Sequence, residues 1–141
     1  MTVFICLDDN NGQMFNRRRQ SRDRTVTEDI LSTSRGHRLY ISSYSKPLLD
    51  SVLQDENTAA DITVDDAFPE TAPENAFCFA EDIPMSKLID KTDRLIIYRW
   101  NRVYPKDVSL DIKPEDSFKL TGCSEFKGYS HEKITREVYE R

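Results

Sequence analysis

At 141 residues the chain has the length of one domain, enough to close a single hydrophobic core. An apolar share of 38% with 10% aromatics sets it above the disordered class, and four glycines and six prolines exclude a low-complexity or collagen-like chain. No apolar run reaches the roughly 20 residues that cross a bilayer; the opening stretch lacks a basic segment and a cleavage site, so a cytosolic location without membrane contact is expected.

Cys6, Cys78 and Cys123 are odd in number and far apart, which excludes a disulfide framework and a four-ligand zinc site and leaves buried, strand-borne thiols. With only His37 and His131, histidine-rich metal chemistry is excluded by count, and no metal site is expected. Net charge is −5, yet five of the twelve arginines lie between Arg17 and Arg24, while Asp50 to Asp82 is acidic without one Lys or Arg.

Along the chain, Thr2 to Leu7 is β-branched and aromatic and reads as a strand, ended by the Asn11-Gly12 turn signal. Asp8, Asp9, Asn10 and Asn11 are all hard oxygen ligands, but without calcium-loop spacing they read as a turn with hydrogen-bonding side chains. A long polar loop should follow, reaching to Arg24. Thr25 and Glu28 have capping-box spacing ahead of a helix striped by Val26, Ile30 and Leu31, with Gly36 as its stop. Arg38 to Ser42 is a second strand, and Ser45 with Pro47 should begin a helix carrying Leu48, Leu49, Val52 and Leu53. The polar stretch from Asp55 to Asn75 is expected to be loop around a brief strand at 61–64.

Ala76 to Glu81 is a compact strand, followed by a helical turn opened by Pro84. Asp93 to Pro105 holds the strongest strand and the expected centre of the sheet. Shorter strands should follow, and the last segment, His131 to Arg141, fits a helix by Ile134 and Val138 but a strand by Thr135, Glu137 and Tyr139. This order describes an α/β domain, a mixed sheet with helices on its faces.

The order of elements, the "VFICLDDNNG" start, "RLYISSYS", "RLIIYRWNRVYPKDVSLDI" and the final "SEF…EVYER" hairpin together resemble the dihydrofolate reductase fold family over nearly the whole chain. The resemblance implies one three-layer domain over residues 1–141 and a strand at the C-terminus. It also places Asp23 near the family's substrate carboxylate, as the candidate catalytic residue. Arg22 and Arg24 on either side should lower its pKa, the wrong direction for a proton donor.

Other places depart from the family. The proline-tryptophan lid is replaced by "MFNRRRQ", and the Gly-Arg turn after the second strand by "SSYS". The glycine pair that lets backbone amides reach a pyrophosphate is replaced by Ala80-Glu81-Asp82, with two negative charges. These departures argue against a phosphorylated nicotinamide cofactor, and no other cofactor is predicted.

Three readings of function stand beside one another. One is a binding or regulatory module on a reductase-like scaffold. The second is an enzyme with another cofactor or none. The third is a nucleic-acid binder or ribonuclease using Arg17, Arg18, Arg19, Arg22 and Arg24, with a pI of about 5.1 against it. Candidate ligand contacts are those five arginines with Tyr98, Trp100 and Arg102, toward an anionic small molecule, an acidic protein or a nucleic acid. Trp100 reads equally as core or as a cleft wall stacking on a planar ligand. His131 reads as an exposed loop histidine, and a Cys6–His131 pair has no support in the spacing.

Overall fold

The computed structural model describes residues 1–56 and 61–141; the part of the expected loop at 57–60 lies outside them. In chain order the elements are β1 (Thr2–Leu7), β2 (Gly12–Phe15), β3 (Arg18–Arg19), α1 (Arg24–Thr33), β4 (Leu39–Ile41), α2 (Lys46–Glu56) and β5 (Ile62–Val64). There follow α3 (Phe68–Thr71), β6 (Phe77–Phe79), β7 (Arg94–Arg99), β8 (Val108–Ser109), α4 (Pro114–Ser117), β9 (Lys119–Phe126) and β10 (Ile134–Glu140). Single 3₁₀ turns at Met85–Lys87 and Ile89–Lys91 precede β7.

The seven-stranded sheet runs β5-β4-β6-β1-β7-β10-β9. β1 is parallel to β6 (Val3 opposite Cys78) and to β7 (Phe4 opposite Ile96), so β1 is the middle strand and β7 its neighbour. Both are apolar on two faces, as strands covered on both sides must be. Val3, Ile5 and Leu7 join Leu95 and Ile97 in one core, under Phe68, Leu88 and Phe118. Phe4, Ile96 and Tyr98 face the other, where Ile30 and Leu31 of α1 pack with Leu48, Leu49 and Val52 of α2. Burying each such side chain stabilises the fold by about 1.5–3 kcal/mol. The result is a three-layer α/β domain.

β10 answers the C-terminal ambiguity. It lies antiparallel between β7 and β9, with Val138 opposite Ile96 and a register shift after Val138. The three cysteines are free and sit on strands, but Cys123 is exposed because β9 is an edge strand with one face open. Cys78 alone is fully buried, and burial pushes its thiol up to about 12.

Two local expectations need correction. The stretch from Gly12 to Arg19 is a hairpin, β2 with β3, paired also to β8. Its turn places Asn16 and Arg17 at φ 54° and 62°, the left-handed conformation that two-residue hairpin turns require. The cap of α1 is Asp23 rather than Thr25: extended at φ −151°, it accepts the N–H groups of Thr25 and Val26, while Glu28 pairs with Arg24. The helix ends where the Ser34 N–H and hydroxyl both return to the Ile30 carbonyl, with Gly36 beyond at φ 84°. Ser45 stands at the N-cap position of α2, where its carbonyl accepts the Leu49 N–H at 3.3 Å, while its hydroxyl donates to Glu81 at 2.8 Å.

Candidate functional site

The carboxyl ends of β1, β6 and β7 open at one rim of the sheet, the place where parallel sheets take ligands. Three connections converge there, the residues between β3 and α1, between β7 and β8, and between β9 and β10. Asp8, at the end of β1, organises the first layer. Its carboxylate accepts the N–H groups of Asn10 (2.9 Å), Gly12 (2.7 Å) and Tyr104 (3.0 Å) and the Gln20 side chain (3.0 Å). The acidic cluster is therefore a turn with hydrogen-bonding side chains, and Asp8 fixes where Tyr104 stands. Among the described residues no His, Cys, Asp and Glu group is arranged to hold a metal ion.

Asp23 and His131 form the second layer. The Asp23 carboxylate has no solvent exposure and lies 2.9 Å from His131 Nδ1. It also accepts the N–H groups of Tyr129 (2.9 Å), Ser130 (2.9 Å) and His131 (3.2 Å). Gly128 permits this approach, since a Cβ there would sit 2.6 Å from Asp23 Oδ2 and 2.9 Å from the His131 carbonyl. Burial alone would raise the Asp23 pKa, but the Tyr129 N–H, the His131 ring and the Ser130 and Thr25 N–H groups outweigh it and hold it at about 2. The lowering expected from Arg22 and Arg24 is there, with a different cause: donors that converge from the β9–β10 connection.

His131 is buried, not exposed. Its ring stacks on Trp100 at 4.8 Å, and Nε2 meets two hydroxyls, Ser21 Oγ at 3.1 Å and Tyr104 at 3.1 Å. Trp100 is accordingly core, 3% exposed, and packs on a side chain of the site itself. Sequence spacing gave no sign of His131, Ser21 or Tyr104, because their contacts join segments 27 to 110 residues apart.

A third layer fills the end of β6. Glu81 takes a two-point ion pair from Arg19, Nε at 2.7 Å and Nη2 at 2.9 Å, and Arg19 lies over the Tyr44 ring at 4.7 Å. The Gln13 amide donates to the Glu81 carbonyl at 3.0 Å, with the Ala80 and Ile83 carbonyls at 3.4 Å. A pyrophosphate needs inward N–H donors, but here carbonyls and a carboxylate line the place, already matched to a guanidinium and an amide. These residues do not fit a phosphorylated nicotinamide. Beneath them, burial and then Glu81 raise the Cys6 thiol well above its ordinary pKa, which keeps it protonated and inert. No contact pairs Cys6 with His131.

The predicted ligand contacts thus divide. Arg17, Arg18, Arg22 and Arg102 are exposed and make no side-chain ion pair among the described residues. Arg19 is paired with Glu81, and Arg24 with Glu28. Tyr98 is fully buried under α1, its hydroxyl on Asp29, which also takes Arg136 at 3.0 Å, so it reaches no cleft. A recess of about 420 Å³ near the rim lies between α1, α2 and the β9–β10 connection. Leu48 and Val52 give it an apolar wall; Arg22, Arg24, Ser51 and Ser130 give it polar edges.

A mixed seven-stranded sheet in this order, with helices on both faces and a hairpin over the carboxyl rim, defines the dihydrofolate reductase-like class of fold. The chain is similar in fold to dihydrofolate reductase from Enterococcus faecalis complexed with NADP(H) and RAB-propyl, with a TM-score of 0.67 over 99% of this chain and 95% of that one. Sequence identity is 8%, so the likeness is one of fold. The sequence matches no family model and no curated protein.

Proposed function

We propose that the protein is a binding module that has kept the reductase-like scaffold without its nicotinamide chemistry, and that it takes an anionic small molecule with an apolar body. The recess of about 420 Å³ carries this reading, because it falls within the size range of ligand sites and sets an exposed Arg22 beside Leu48 and Val52. The Arg19–Glu81 pair supports the other half, since a cofactor phosphate would have to displace a bidentate ion pair. Free thiols on Cys6, Cys78 and Cys123 suit a reducing, cytoplasmic setting.

The test is an amide NMR titration with phenylacetate as the anionic probe and the phosphorylated nicotinamide cofactor as comparator. Phenylacetate should shift the Ser51, Val52 and Tyr129 amides saturably, and Arg22→Ala should weaken it about tenfold, the worth of one charge-assisted hydrogen bond. Saturable shifts around Glu81 with the cofactor, and none with phenylacetate, would refute the reading. Exposed Phe15 beside Arg17 and Arg18 at the hairpin tip favours nucleic acid as a second reading. Affinity for a single-stranded oligonucleotide that does not fall with salt would dispose of it.

A further inference from the structure

We propose that Ser21, His131 and Asp23 form a nucleophile, base and orienting carboxylate for acyl transfer, with small carboxylic esters as the substrate class. Ser21 Oγ lies 3.1 Å from His131 Nε2, and His131 Nδ1 lies 2.9 Å from Asp23 Oδ2. Such a constellation is recognised by geometry and roles, not by its place in the sequence. Of the three, only Asp23 borders the anion recess; Ser21 and His131 do not line it, so acylation of Ser21 is read separately from anion binding.

The tautomer follows from hydrogen-bond bookkeeping. An ionised Asp23 can only accept, so the proton of the neutral ring resides on Nδ1 and the lone pair on Nε2. That lone pair faces two hydroxyls, those of Ser21 and Tyr104, and can accept from one at a time. Trp100 stacked on the ring and the Asp23 contact together hold its plane. A clamp joining the β9–β10 connection to α1 would need Asp23 and the Nδ1 side of the ring; it has no use for a serine on the other nitrogen.

The steps need only the ester and one water. Ser21 Oγ attacks the ester carbonyl as its proton passes to Nε2, and the carbonyl π pair moves onto oxygen. Once protonated, Nε2 no longer accepts, so the Tyr104 hydroxyl, 3.4 Å from Ser21 Oγ, is free to donate to the new oxyanion. Collapse breaks the bond to the alcohol oxygen, which leaves with the proton from Nε2. Water then attacks the acyl-serine, gives its proton to Nε2, and Ser21 recovers it as the acid departs. Beside Ser21, Cys6 and Trp100 a cavity of about 10 Å³ has room for one water. Gln20 also lines that cavity, and its Oε1 is a buried acceptor without a protein partner. Ser21 is half-buried, which limits the acyl group to a small one.

The experiment is hydrolysis of p-nitrophenyl acetate by the full chain, with acid-quenched mass spectrometry to locate the acyl group. Acetyl on Ser21 is expected, with Ser21→Ala lowering turnover about a hundredfold or more at unchanged thermal stability. Turnover unaffected by Ser21→Ala, or no acetyl on Ser21 in the native protein, overturns the proposal. Ser21→Cys keeps a nucleophile in place, and iodoacetamide should alkylate the introduced thiol faster than exposed Cys123 at neutral pH; an equal or slower rate overturns it. Asp23 acts through His131 as a positioning residue, so its readout is spectroscopic. The imidazole ¹⁵N shifts should report the Nδ1–H form, lost in Asp23→Asn, and an Nε2–H form in the native protein overturns the assignment.

Discussion

Replacing Asp23 by Asn removes one charge and changes almost no volume, so its cost isolates the clamp. The carboxylate accepts Thr25 and Tyr129 N–H groups on Oδ1, and Ser130, His131 N–H and the His131 ring on Oδ2. An Asn offers one carbonyl oxygen, so in either orientation its NH₂ faces N–H donors. Loss of half the contacts leaves at least two buried donors unmet, at about 1 kcal/mol or more each, and weakens a helix cap worth about 1 kcal/mol. The sum is about 3 kcal/mol, or roughly 10 °C in melting temperature for a chain of this size.

Urea unfolding followed by fluorescence of the single tryptophan, Trp100, reads this directly because its ring stacks on His131. The pH dependence carries an independent sign. Asp23 has its pKa depressed in the folded state from 3.8 to about 2, so its contribution is complete above pH 4 and lost as pH falls toward 2. The native protein should therefore lose at most about 2 kcal/mol from this group across that window, a component absent from Asp23→Asn. A variant within about 0.5 kcal/mol of the native protein, the ordinary scatter of surface changes, would refute the clamp.

Gly128→Ala should cost about 2–3 kcal/mol in the same assay, because its Cβ would meet Asp23 Oδ2 at 2.6 Å and the His131 carbonyl at 2.9 Å. Arg17→Gly should instead stabilise by up to about 1 kcal/mol, by relieving a side chain held at φ 62°; a loss of stability would mean that Arg17 makes a contact its exposure conceals.

Strand positions were legible in the sequence wherever both alternations were apolar, as in Val3, Phe4, Ile5 and Leu95, Ile96, Ile97, since a short continuous run of β-branched and aromatic residues is a local property of the chain. The β2–β3 hairpin was not, because its turn uses Asn16-Arg17 where a readable signal would be Asn-Gly. The cap was missed for a related reason: Thr25 and Glu28 carry the capping pattern, while Asp23, two positions earlier, wins through N–H donors 106 to 108 residues away. Those donors, and the hydroxyls around His131, are set by which connections the sheet brings to its rim. Trp100 could be read as core or as site wall because it is both, buried and packed on the site histidine.

The middle place of β1 also carries a consequence for biosynthesis. Thr2 to Leu7 is made well before its two neighbours, β6 and β7, which lie at Phe77–Phe79 and Arg94–Arg99. At about 5–20 residues per second, this apolar strand waits roughly 5 to 20 seconds for its second partner to be synthesised. During that interval its two open edges are competent to pair with another nascent copy. Pairing of the first strand on both of its edges therefore waits on synthesis of the seventh.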